Sequence, residues 1–193
     1  VQFVVEYLWS GSPDLDGLVA KEHWIEVEVG VSIRVLVWKE EGIDPDSGTV
    51  VMVPGWGSLF EGWKPLVTEW AKRRHLIYIE TREKASSRFN RRISKDDFSI
   101  ERHARDIEAV LDVLDINQKS IDWYSSSLGS TILIDAFEKG DLDGRSSVLL
   151  APNPDFRFPL WSRMIIYSPL PMVAFRKMVG FVAWVVNRRT KEE

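Results

Sequence analysis

Beginning at residue 49, short β-branched apolar runs alternate with amphipathic stretches of helical spacing: 49–53, 61–74, 76–79, 100–114, 119–124, 129–138 and 147–150. A strand that is β-branched or apolar at every position, as 49–53 is, must be covered on both faces. Strands separated by helix-length segments pair in parallel, because a parallel connection has to cross the sheet and returns through a helix. The order strand, helix, strand, helix, strand, helix, strand therefore predicts a doubly wound, mostly parallel sheet. With 193 residues and 45% hydrophobic content, the chain is large enough for one substantial core.

Upstream, 23–41 contains WIEVEV and SIRVLVW, two alternating runs joined around Gly30, the pattern of an antiparallel hairpin at a sheet edge. In 61–74 the apolar residues Leu66 and Trp70 fall at helical spacing, and the last turn is basic. Residues 81–98 are polar, rich in Arg and Lys and without periodicity, and read as a surface loop. Ser99 is placed to cap the next helix, whose stripe is Ile100, His103 or Ala104, Ile107, Val110 or Leu111, and Leu114. Gly140 is placed to close the helix of 129–138. The expected fold class is α/β: a doubly wound mostly parallel sheet with an N-terminal antiparallel hairpin.

Composition removes several chemistries. With no cysteine there is no disulfide framework, thiolate metal site or cysteine nucleophile, which suits a cytoplasmic location. No His/Asp/Glu cluster has ligand spacing and no Gly-rich loop matches a phosphate fingerprint, so neither metal nor cofactor is expected. The N-terminal segment lacks the basic leader of a secretory signal. No apolar run reaches the ~20 residues of a membrane span, because Arg157, Arg163, Arg176 and Lys177 interrupt the apolar C-terminal third. The net charge is −4, yet residues 156–193 carry seven Lys/Arg against two Glu. These basic residues lack the aromatic interleaving of a nucleic-acid site, and no nucleic acid is expected as a partner.

The stretch YSSSLGST at 124–131 lies between an apolar strand and an apolar helix. A serine on so tight a turn needs small residues two before and two after it, so that the backbone can crowd and the hydroxyl can project above the sheet. Ser127 meets this with Ser125 before it and Gly129 after it, whereas choosing Ser126 would place Leu128 in the crowded slot. Taken alone, the same residues could be a polar turn opening a helix. Two strand-helix units earlier, Pro54-Gly55-Trp56-Gly57-Ser58 follows the strand 49–53. Glycines such as Gly55 and Gly57 let backbone amides converge on a developing negative charge, with Trp56 and Leu128 as the candidate donors.

With VVMVPGWGS, FSIERHARDIEAVLDVLDI, DWYSSSLGST and SVLLAPNPDF, residues 23–155 resemble the N-terminal two-thirds of an α/β-hydrolase of the esterase and lipase kind. Pro54-Gly55 stands where relatives usually have His-Gly, and Ser125 where they have Gly. The resemblance implies a hydrolase core over 1–155 and, over 156–193, a hydrophobic helical segment resembling a lid. It implies a serine hydrolase of ester or related acyl bonds, with Ser127 as nucleophile, Trp56 and Leu128 forming the oxyanion hole, and Asp155 as a candidate acid.

The expected partner is an apolar small-molecule acyl substrate, with 172–189 alternatively lying on a membrane surface. The family's histidine follows the serine in chain order, but His23, His75 and His103 all precede Ser127. Two readings follow. In one, the sequence is C-terminally incomplete, as its Val start and missing later strands suggest, and the remaining triad lies further on. In the other, the chain is a hydrolase-like protein that binds a ligand, partner or membrane surface without catalysis.

Overall fold

The apolar residues of the central strands divide by parity between two separate clusters, which is how a period-two strand buried on both faces must behave. In the computed structural model, which describes residues 13, 15, 17–39 and 48–153, Val51, Val53, Ile77 and Ile79 enter one cluster and Val50, Met52, Leu76 and Tyr78 the other. The elements are β1 (Lys21–Glu28), β2 (Val31–Trp38), β3 (Thr49–Val53), α1 (Phe60–Ala71), β4 (His75–Ile79), β5 (Arg88–Phe89), α2 (Ile100–Val113), β6 (Ile121–Ser126), α3 (Leu128–Lys139) and β7 (Ser146–Leu150). Helix α1 covers the Val50 face through Phe60, Trp63, Val67 and Ala71. Helices α2 and α3 cover the other through Ala104, Ile107, Val110, Leu111, Ile132, Leu133 and Ala136.

The sheet runs β1-β2-β4-β3-β6-β7, with the short β5 paired to β2. Strands β4, β3, β6 and β7 are mutually parallel, while β1, β2 and β5 pair antiparallel. This is the mixed α/β architecture expected from the sequence, with the hairpin at one edge. At the other edge of the described sheet, β7 leaves Val148 and Leu150 more than two-fifths exposed.

Local signals also appear where their chemistry placed them. The Arg102 N–H donates to Ser99 Oγ at 3.2 Å, capping α2. Gly140 takes φ 76° at the end of α3, a left-handed cap that favours glycine. On α1 the buried stripe is Phe60, Trp63, Val67 and Ala71, with the expected Leu66 and Trp70 flanking it half-buried. Its basic cluster Lys72, Arg73 and Arg74 lies just past the helix end.

Most of residues 81–98 are exposed or half-exposed, as expected of a surface loop, but a few of its polar residues turn inward. Thr81, Arg82, Ser86 and Asp97 are buried, and Arg82 is fully enclosed. The Arg82 guanidinium grips the Asp106 carboxylate of α2 through both Nε and Nη2, and Arg82 Nη1 reaches Asp97 at 3.3 Å. Asp97 is gripped in turn by Arg91 and accepts the Ser94 N–H at 2.6 Å. Polar composition marks exposure only when charges are solvated; here they neutralise one another inside a fold of the chain.

Candidate active site

Strand β6 ends at Ser126 and α3 begins at Leu128, so the chain reverses direction on Ser127 alone. That residue has φ 48° and ψ −113°, a conformation that costs an L-residue on the order of 1–3 kcal/mol. A serine at a helix N-cap ordinarily takes extended angles and lets its hydroxyl accept a first-turn N–H. Ser127, a half-buried residue, does neither, so its hydroxyl is not spent on capping α3. Its carbonyl is bound into the helix, accepting the Thr131 N–H at 3.0 Å.

The close packing that forces this turn is visible around it. A Cβ on Gly129 would lie 2.2 Å from the Val53 carbonyl oxygen, so only glycine lets α3 start against the end of β3. Ser125, fully buried, shares a 2.9 Å hydrogen bond between its Oγ and that of Ser130, and Ser130 Oγ donates to the Leu150 carbonyl at 3.0 Å. The Ser127 N–H donates to that same carbonyl at 2.8 Å. The Ser125 hydroxyl therefore satisfies itself within the crowded turn, and Ser130 and the Ser127 N–H tie that turn to the end of β7.

The loop after β3 packs directly on Ser127. A Cβ on Gly55 would come within 2.9 Å of the Ser127 Cβ and 3.1 Å of the Ser126 carbonyl oxygen. Residues 55–58 form a turn in which the Ser58 N–H donates to the Gly55 carbonyl at 3.1 Å, with Gly57 at φ 68° in the position that requires a positive angle. Trp56 is 60% exposed. Leu128 is the first residue of α3, where backbone N–H groups have no intrahelical acceptor and the dipole favours negative charge. Ser127, Gly55, Trp56, Gly57, Leu128 and Gly129 thus come together at the carboxyl ends of β3 and β6. Asp155 and the lid-like segment 156–193, including 172–189, lie outside the described residues.

None of the three histidines joins this group. His23 lies in the edge strand β1 opposite Val35, and His75 starts β4 opposite Thr49, at the far end of the strands from Ser127. Burial, with a nearby lysine, holds both below the usual histidine range. His103 is buried on α2, with Nδ1 2.8 Å from the Ser99 carbonyl oxygen and Nε2 3.2 Å from Glu83 Oε2. A chain of contacts through Glu83 and its neighbour Lys84 links it to the Gly55 turn.

Lys84 escaped the sequence reading. Its ammonium donates to the carbonyls of Gly55 at 2.6 Å and Ser58 at 3.2 Å. Burial pushes the ammonium below the usual lysine range, with Glu83 and Glu80 pulling back toward the charged form. Burial alone would raise the Glu83 carboxyl, but hydrogen bonds from His103 and Thr81 and the charge of Lys84 bring it below its ordinary value. The available signal was position: E-T-R-E-K follows β4 immediately, at the carboxyl edge of a parallel sheet where ligands bind.

Among the described residues, no cluster of His, Asp and Glu could hold a metal ion, and no helix is long and apolar enough to cross a membrane. A surface cleft of about 290 Å³ lined by Glu69, Trp70, Arg73 and Arg74 opens at the opposite end of the strands, where Arg74 pairs with Asp122 near the start of β6.

No protein-family model matches the chain, and no curated protein matches its sequence. Solved structures do. An α/β-hydrolase fold protein from Burkholderia ambifaria superposes with a TM-score of 0.62 at 16% identity, over 84% of this chain and 60% of that one. An N-acyl homoserine lactone degrading enzyme gives 0.59 at 19% identity, over 76% and 52%. A haloalkane dehalogenase from Agrobacterium tumefaciens gives 0.53 at 14% identity, over 69% and 41%. The chain thus spans 60% or less of the length of the structures it resembles.

Proposed function

The chain has the α/β-hydrolase fold, and on that premise we propose that it is a serine hydrolase of ester or related acyl bonds in which Ser127 is the nucleophile. One observation carries the reading: Ser127 sits in a costly backbone conformation at the carboxyl end of a central strand, and its hydroxyl is not used to cap the helix behind it. In the reaction, Ser127 Oγ attacks the acyl carbon and its proton passes to a base. Negative charge then develops on the former carbonyl oxygen, where the N–H groups of Trp56 and Leu128 receive it, until the adduct expels the alkoxide, which takes the proton from the base and leaves an acyl-enzyme for water to hydrolyse. The substrate is an apolar acyl compound, and Asp155 is the acid in this reading.

A second reading rests on the histidines. Since His23, His75 and His103 are all placed away from Ser127, the same fold would serve as a hydrolase-like binding protein, for a ligand, a partner or a membrane surface through 172–189. A fluorescent fluorophosphonate applied to the folded chain separates the two. Labelling that disappears in Ser127→Ala supports the nucleophile. Absence of labelling in a folded chain overturns the enzyme reading in favour of the binding one.

A further inference from the structure

The four-residue turn that carries the Trp56 amide contains two glycines and would be loose on its own. From outside, the Lys84 side chain holds it at both ends. We propose that Lys84 is a positioning residue for the oxyanion hole: by binding the carbonyls at both ends of the turn 55–58, it aims the Trp56 N–H at the acyl oxygen. This deepens, and rests on, the reading of Ser127 as an acyl nucleophile.

The geometry follows from peptide planarity. In a trans peptide the C=O and the following N–H point in opposite directions, so whatever fixes the Gly55 carbonyl fixes the Trp56 N–H. The Lys84 ammonium takes that carbonyl at 2.6 Å, while Gly55 itself lies against the Ser127 side chain. A cation on the oxygen of an amide also polarises that amide, which makes its N–H a stronger donor toward developing negative charge. The second bond, to the Ser58 carbonyl at 3.2 Å, prevents the turn from pivoting about the first.

Lys84 is in turn braced. Its ammonium lies 3.5 Å from Glu83 Oε1, which accepts the Thr81 hydroxyl at 2.7 Å, while the other Glu83 oxygen faces His103 Nε2 at 3.2 Å. On the other side, Arg82 anchors the segment to Asp106 on α2. The arrangement also separates positioning from catalysis. An ammonium has three donors and no acceptor, and those of Lys84 face two carbonyl oxygens and a carboxylate. It offers no lone pair to the Ser127 proton, so its work is done through the Gly55–Trp56 peptide.

The test compares Lys84→Met, Lys84→Gln and Lys84→Arg with the parent chain, using a fluorophosphonate as probe and 15N relaxation of the Trp56 amide as a second, labelling-independent readout. Lys84→Met should slow the maximal labelling rate by about tenfold or more, as weakened oxyanion stabilisation does, with little change in the probe concentration giving half that rate. Lys84→Arg, which keeps charge and donors, should restore most of the rate, and the Trp56 amide should become more mobile in Lys84→Met. Lys84→Gln takes the place of Lys84→Met if the latter does not fold. Labelling at the parent rate in the neutral variants, or a Trp56 amide as ordered as in the parent, overturns the proposal. If the parent chain does not label at all, the nucleophile reading falls. The proposed oxyanion role falls with it, whatever the amide shows about the clamp.

Discussion

The Val53 carbonyl oxygen stands 2.2 Å from the place a Cβ on Gly129 would occupy, so the end of one central strand and the start of the helix after the next are in backbone contact. The contact sets how sharply the chain must turn at Ser127. Gly129→Ala puts a methyl group into backbone that cannot yield like a side chain, and a loss of about 3 kcal/mol or more is expected. Gly62, exposed on α1 with nothing within 4 Å of its Cβ position, is the control. There the alanine should raise stability by about 0.5–1 kcal/mol through helix propensity. Urea unfolding of the two variants checks both signs.

Ser127 itself separates stability from activity. Its φ of 48° is disfavoured for any residue with a Cβ and tolerated by glycine. Ser127→Gly should therefore gain roughly 1 kcal/mol in thermal or urea unfolding while abolishing fluorophosphonate labelling. Ser127→Ala should abolish labelling with no comparable gain. A serine that were merely a cap would show the opposite, losing stability in both variants.

The buried pair Arg82–Asp106 holds the segment 81–98 against α2, with Arg82 fully enclosed and Asp106 2% exposed. Arg82→Met leaves the Asp106 carboxylate buried without its partner, which is expected to cost about 3–5 kcal/mol. Replacing both residues, Arg82→Met with Asp106→Leu, removes the stranded charge and should recover part of that loss. A double-mutant cycle in urea measures the coupling.

Acid should weaken the fold through Asp122 and Asp97. Hydrogen bonding from Arg145, helped by Ser146 and Arg74, holds the Asp122 carboxyl well below the usual carboxylate range. Arg91, with the Ser94 backbone, does the same for Asp97. Each folded-state value lies below that of the unfolded chain, so the unfolded state binds protons first. The contribution is whole above the unfolded value of roughly 4 and is lost as pH falls through the folded value. Asp122→Asn should flatten the pH dependence of unfolding free energy below about pH 4, read from urea midpoints at successive pH values.

Much of this was legible along the chain because it depends on neighbours in sequence. The runs 50–53 and 76–79 had to be doubly buried strands, since consecutive apolar or aromatic residues face both sides of the sheet. Ser99 and Gly140 marked helix ends through chemistry confined to a few residues. Ser127 stood out from two adjacent serines because only it has glycine two positions on. The burial of Arg82 and Asp97 within the otherwise surface segment 81–98 was not legible, because solvated charges and charges that neutralise one another in the interior look alike in sequence. Arg82 and Asp106 are 24 positions apart, and nothing local announces their pairing.

By itself, then, the sequence determined the alternation of strands and helices, the parity that sends Val51 and Met52 to opposite faces, and the small-residue spacing that permits a turn at Ser127. Only the tertiary structure decided that Gly55 lies against Ser127, that the Leu150 carbonyl ties down the turn, and that Lys84 holds the carbonyls of Gly55 and Ser58. The reason is physical. Periodicity and steric permission are written in consecutive residues, whereas the direction of a hydrogen bond depends on where the sheet places residues that the chain keeps 20 or 70 positions apart.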